Sequence, residues 1–190
     1  MKLRDIPNII SMFRVVLVLP VVWALLQSNF TLALILFAVA GVSDALDGFL
    51  AKHNHWESRL GSILDPLADK LLLVCSFYTL AWIELIPMWL FLVVLVRDLV
   101  IILGGLVFHL LFGRYELEPS RVSKINTFFQ ILFVLAVVFF HGQYALTPWI
   151  VDALGYIVFA TTIISGLNYV WVWGRRAMLR KHNKNDLHVK

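Results

Sequence analysis

The chain has 190 residues, of which 61% are apolar and 15% charged, and its mean hydropathy is +0.84. A soluble domain is about 45–50% apolar and about 25% charged, and a chain this short has too little interior to hide the excess. That excludes a soluble globular enzyme and a basic nucleic-acid binder; it indicates an all-α, polytopic integral membrane protein, with the bilayer as its first partner and no nucleic acid.

Six apolar runs follow in chain order, at about 8–28, 30–52, 58–82, 86–113, 119–140 and 147–174. Each is long enough to cross a core of about 30 Å as a helix. They fill the chain as one membrane domain over residues 1–190. Pro87, Pro119 and Pro148 stand where helices start, and a missing N–H costs nothing there. Met1 to Pro7 carries no small-residue cleavage site, so it does not read as a secretory leader. Cys75 is alone, which leaves no internal disulfide.

The basic residues set an orientation. Thirteen of the 16 Lys and Arg lie at the N-terminus, in the second and fourth loops, and in the tail. The segments near Ser28, Glu84 and Gln143 carry none. By the excess of positive charge on cytoplasmic loops, both termini face the cytoplasm. Arg14, Lys70 and Arg97 are the remaining three, and they fall inside apolar runs.

Acids inside the runs carry the chemistry. Asp44 and Asp47 sit at the cytoplasmic end of the second run, and Asp65 and Asp69 near the start of the third. A carboxylate at a helix centre costs about 2.5–3.5 kcal/mol even on a lenient insertion scale. Asp44, Asp47, Gly48 and Ala51 are spaced i, i+3, i+4, i+7, and Gly61, Asp65 and Asp69 i, i+4, i+8, so each set forms one helical stripe. Placed on neighbouring antiparallel helices, the stripes can face each other. Small residues there let a phosphate come close. Four converging carboxylates call for a divalent cation, and all-oxygen donors suit Mg²⁺ or Mn²⁺. The plain alternative pairs the acids separately with Lys52, Arg59, Lys70 and Arg97. His53 and His55 beside the stripe read as solvated loop residues, and Asp152 as a capping or interfacial acid.

Residues 44–69 resemble the signature of the CDP-alcohol phosphatidyltransferases, D-x2-D-G-x2-A-R-x8–9-G-x3-D-x3-D. Seven of its eight fixed positions match, the departure being Lys52 in place of Arg. That keeps the charge and loses the bidentate fork. The resemblance implies transfer of a phosphatidyl group from CDP-diacylglycerol to an alcohol, with release of CMP. It implies two divalent cations held by Asp44, Asp47, Asp65 and Asp69, with Asp69 also taking the acceptor's proton. It implies a CDP site lined by Asp47, Gly48, Ala51, Lys52, Gly61 and Asp65, and a homodimer in the inner membrane of a bacterium with the site facing the cytoplasm.

Arg97, Arg121 and Lys124 are candidates for the acceptor's phosphate; the plain alternative pairs Arg97 with an aspartate and makes Arg121 and Lys124 headgroup anchors. The stretch Ser123-Lys124-Ile-Asn126-Thr127, with Arg97-Asp98, resembles the eukaryotic-type cardiolipin synthases, which implies phosphatidylglycerol as acceptor. Glycerol 3-phosphate is the alternative. A cation- or proton-coupled transporter is the rival from another class, but its site would sit mid-membrane on repeated, broken helices, and no repeat is present.

Overall fold

The computed structural model describes the backbone of residues 6–53, 61–112, 121–142 and 147–187, and the side chains over 9–49, 67–105, 121–142 and 147–172. Within those residues the fold is all helical: α1 (Ile6–Leu26), α2 (Phe30–His53), α3 (Gly61–Trp82), α4 (Met88–Phe112), α5 (Arg121–His141) and α6 (Pro148–Leu187). The six elements follow the six apolar runs. Pro119 lies outside the described residues.

Helix ends are set by local chemistry. Ser28 closes α1 at φ 54°, with its N–H donating to the Leu25 carbonyl and the Asn29 N–H donating to that of Ala24. Glu84 closes α3 in the same way at φ 61°, with bonds to the Ala81 carbonyl from its own N–H and to the Leu80 carbonyl from that of Leu85. Each left-handed residue thus satisfies two carbonyls that the helix leaves open. Asn29 then caps α2, accepting from the Leu32 N–H at 3.1 Å. Pro148 opens α6 directly after Thr147.

Among the described residues, five of the helices, α1, α2, α4, α5 and α6, hold segments long and apolar enough to cross a membrane. Helix α3 carries Asp65, Asp69 and Lys70 in its first half, and its described side chains, 67–82, are 16 residues long. Outward-facing side chains such as Leu19, Trp23, Trp149, Leu167 and Trp171 are exposed. Water rejects such a surface and lipid tails accept it. The last helix runs to Leu187, 13 residues beyond the expected end at 174.

Helix α1 packs on both α2 and α3, and α6 packs on both α4 and α5. Contacts of α3 with α4 and α5, and of α2 with α5, join the two groups. Among the described residues α1 packs on both α2 and α3, and its Arg14 joins Asp44 and Asp47 of α2 to Asp69 of α3; the segment that links α2 to α3, 54–60, lies outside the described residues.

Apolar and polar packing are separated along the helix axes. The apolar core gathers Val21, Leu25, Phe77, Leu80, Leu90, Val137 and Val138, at the end where Ser28 and Glu84 make their turns. At the other end lie the buried polar side chains Arg14, Asp47, Arg97, Asp98, Asn126 and Ser165. Alternating helix directions put the starts of α1, α3 and α5 at the end away from the Ser28 and Glu84 turns, and there Arg14 meets Asp44, Asp47 and Asp69 while Arg97 meets Ser123 and Ser165.

Candidate active site

Two polar clusters stand at that end. The first is centred on Arg14 of α1, which is 1% exposed. Its Nη1 donates to Asp44 Oδ1 at 2.6 Å and to Asp69 Oδ1. Its Nη2 donates to Asp47 Oδ2 at 2.5 Å. Ser11, one turn earlier, also donates to Asp47 Oδ2, at 3.4 Å. One guanidinium therefore gathers three carboxylates from two other helices.

The three acids differ in access. Asp47 is 2% exposed, whereas the side chains of Asp44 and Asp69 are 50% and 45% exposed. Asp47 anchors the cluster and the other two present oxygens outward. Beside Gly48 on the same helix, a Cβ would meet no atom within 4 Å, so the space next to the stripe is open, as a close phosphate requires.

Asp44 and Asp69 open onto a groove of about 990 Å³ that Arg14 also lines. Its remaining walls are nearly all apolar, including Leu34 and Phe37 of α2, Ile131 and Phe139 of α5, and Ile150 and Leu154 of α6. Leu34 precedes Asp44 by ten residues, so the groove follows α2 for about 15 Å, half the thickness of a bilayer core. Carboxylates at one end and a hydrocarbon wall along the rest suit an amphipathic lipid.

The second cluster is centred on Arg97 of α4. Its Nη1 meets Asp98 at 2.6 Å. Its Nη2 donates to Ser123 of α5 at 2.6 Å and to Ser165 of α6, and its Nε donates to Ser165 at 3.2 Å. The guanidinium also stands 6.0 Å from the ring centre of Tyr169. Lys70 of α3 reaches Asp98 at 2.8 Å. A continuous chain of bonds thus runs from α3, beside Asp69, through α4 to α5 and α6. Asn126 adds a second tie, its Oδ1 accepting from Thr161 and Thr162 at 2.9 Å each.

The structure brings Asp44, Asp47 and Asp69 together. The side chains of Ala51, Lys52, Gly61 and Asp65 lie outside those described, as do Arg59 and His55. Arg121 and Lys124 are exposed on the first turn of α5. Arg97 is already occupied by two serines and Asp98. Lys70 and Arg97 share Asp98, so Arg97 is paired with an aspartate as its plain alternative has it, but neither cation pairs with Asp44, Asp47 or Asp69, which share Arg14. Arg14 is the residue that sequence reasoning missed. Its signal was a charge amid apolar residues, which demands a partner.

Residues 4–173 match the family model for CDP-alcohol phosphatidyltransferase. The chain belongs to the CDP-alcohol phosphatidyltransferase family. It is 35% identical over 188 residues to a probable cardiolipin synthase (CMP-forming) of Drosophila melanogaster, covering 89% of this chain and 58% of the relative. It is 34% identical over 147 residues to cardiolipin synthase (CMP-forming) of Homo sapiens, covering 69% and 49%. It is 34% identical over 135 residues to the CDP-diacylglycerol–glycerol-3-phosphate 3-phosphatidyltransferase of Aquifex aeolicus, covering 70% and 75%. The chain spans about half the length of the animal relatives it matches.

The donor set fits a family cation in kind. It consists of carboxylate oxygens only, which a hard divalent ion prefers, and the carboxylates converge on one positive centre. Among the described residues no three of them close into a metal shell, and the Arg14 guanidinium is bonded to each of the three described acids.

Proposed function

We propose that this chain is an integral membrane enzyme that transfers a phosphatidyl group from CDP-diacylglycerol to the hydroxyl of phosphatidylglycerol, giving cardiolipin and CMP. One observation carries the reading: Asp44 and Asp69 stand at the mouth of an apolar groove half a bilayer deep. A soluble substrate has no use for that wall, and a transporter has no use for a lipid slot beside its acids. The names of the relatives from Drosophila, Homo sapiens and Aquifex point to the same donor chemistry.

Asp44, Asp47 and Asp69, with Asp65, would hold two divalent cations, Mg²⁺ or Mn²⁺. Such cations supply charge neutralisation for the diphosphate and the departing CMP. The diacylglycerol tails lie along Leu34, Phe37 and Phe139. Gly48, Ala51, Lys52 and Gly61, with Asp47 and Asp65, line the side where CDP is held. Asp69 takes the proton from the acceptor hydroxyl as the oxygen attacks the β-phosphorus. Arg121 and Lys124 hold the acceptor's phosphodiester. Arg97 serves them indirectly, by fixing the Ser123 turn that precedes Lys124. The site faces the cytoplasm of a bacterial inner membrane, where CDP-linked lipid is accessible, and the protein works as a homodimer.

Glycerol 3-phosphate is the second reading for the acceptor, favoured by the Aquifex relative, three quarters of whose length this chain covers. Purified protein given CDP-diacylglycerol and phosphatidylglycerol should form cardiolipin and CMP in equal amounts, and lose this activity in chelator. Phosphatidylglycerophosphate from glycerol 3-phosphate, with no cardiolipin, replaces the acceptor and keeps the donor. No CMP with either acceptor removes the proposal.

A further inference from the structure

Arg14 belongs to neither acid stripe, yet every carboxylate described at the site is bonded to it. Its Nη1 holds Asp44 and Asp69, and its Nη2 holds Asp47. Its Nε is buried without a hydrogen-bond partner. An arginine inside a protein cannot shed its proton, so this positive charge is permanent. A divalent cation binds carboxylate oxygens at about 2.0–2.6 Å. On each acid the guanidinium takes one oxygen, Asp44 Oδ1, Asp47 Oδ2 and Asp69 Oδ1, so a cation set among the same three carboxylates competes with its positive charge for those oxygens.

The side chain has somewhere to go. Arg14 already lines the groove, and a guanidinium turned that way would meet the phosphates of a lipid whose tails lie beyond, with Nε as a spare donor. Guanidinium matches phosphate in shape as well as in charge.

We propose that Arg14 is a displaceable counter-ion: it holds Asp44, Asp47 and Asp69 together in the metal-free protein, withdraws when a divalent cation is chelated, and thereby sets the metal affinity. The inference rests on the metal-dependent reading above. Without Arg14 the free carboxylates repel each other, and a cation no longer has to evict a resident charge. Removing the arginine should therefore tighten metal binding, the reverse of what loss of an ordinary site residue does.

The test is a titration of the purified full chain in detergent with Mn²⁺, following free ion by electron paramagnetic resonance. Exchange of charge-assisted contacts predicts that Arg14→Gln binds Mn²⁺ roughly 10- to 150-fold more tightly than wild type. The rise in melting temperature on adding Mn²⁺ should be larger in Arg14→Gln than in wild type, because the metal-free state has lost its internal cation. Arg14→Lys keeps the charge without the fork and should fall between the two, and it carries the test if Arg14→Gln does not fold without metal. Affinity at or below wild type in the variant tested overturns the displacement while leaving the metal reading intact. Mn²⁺ binding by none of the proteins removes the metal reading, and the displacement with it.

Discussion

Arg14 and Arg97 are buried to 1% and 5% exposure, and their neighbours give them different work. Arg14 holds acids that face a groove, whereas Arg97 holds hydroxyls that face other helices. Arg97→Ala should therefore act on the fold first. It removes the donor to Ser123 and Ser165 and one partner of Asp98, at a cost of about 3 kcal/mol, the lower end for a broken buried pair, since Lys70 stays with Asp98. Unfolding in mixed micelles measures it. Lys124→Ala should leave the unfolding transition near wild type and lower kcat/KM for the acceptor by roughly 10- to 150-fold, the worth of one charge-assisted contact. Asp69→Asn should reduce CMP release by about 100- to 10,000-fold, the range for a lost general base, in a protein that still folds because Asp44 and Asp47 keep Arg14 engaged. The meeting of Asp44, Asp47 and Asp69 was legible in the sequence from their helical spacing. Arg14 was not, because its partners lie 30, 33 and 55 positions away and a lone arginine has no periodic mark.

At the scale of helices, the six helices were legible because each follows an apolar run long enough for several turns. The proline starts at Pro87 and Pro148 were legible for the same sort of reason, a missing donor at the first turn. The turns at Ser28 and Glu84 were not, since a left-handed residue without glycine carries no sequence mark. Helix neighbours were harder still. A short loop makes α2 and α3 look like a pair, and it gives no sign that α1 packs on both of them. Asn126 shows how a motif residue can serve packing. Its side chain is fully buried and clasps Thr161 and Thr162, so its contact is with α6. Asn126→Ala should loosen α5 from α6 by about 1–2 kcal/mol, the scale of interhelical hydrogen bonds in membranes, read as an earlier unfolding transition. The acceptor's KM should rise because Lys124 is half a turn away.

For the molecule as a whole, the separation of apolar core from polar end is the main organising feature. It was foreshadowed by the charges: the loops near Ser28 and Glu84, which carry no Lys or Arg, stand at the apolar end. Reporter fusions should place Met1 and Lys190 in the cytoplasm and the turn at Glu84 on the opposite side, by the excess of basic residues at the other end. An outward C-terminus would reverse the site and expose it to a compartment without CDP-linked lipids.

The groove also fixes how the protein meets its substrates. If lipid is the substrate as proposed, a slot walled by Phe37, Ile131 and Leu154 would be filled by molecules diffusing in two dimensions within the leaflet, and its lipid occupancy would not depend on the volume of the surrounding solution. What the enzyme senses is then the mole fraction of lipid in its own plane. Diluting a micellar assay with buffer should leave the rate per enzyme unchanged, and diluting it with inert detergent at constant bulk lipid should slow it. In a cell, turnover would follow the composition of the membrane rather than its amount.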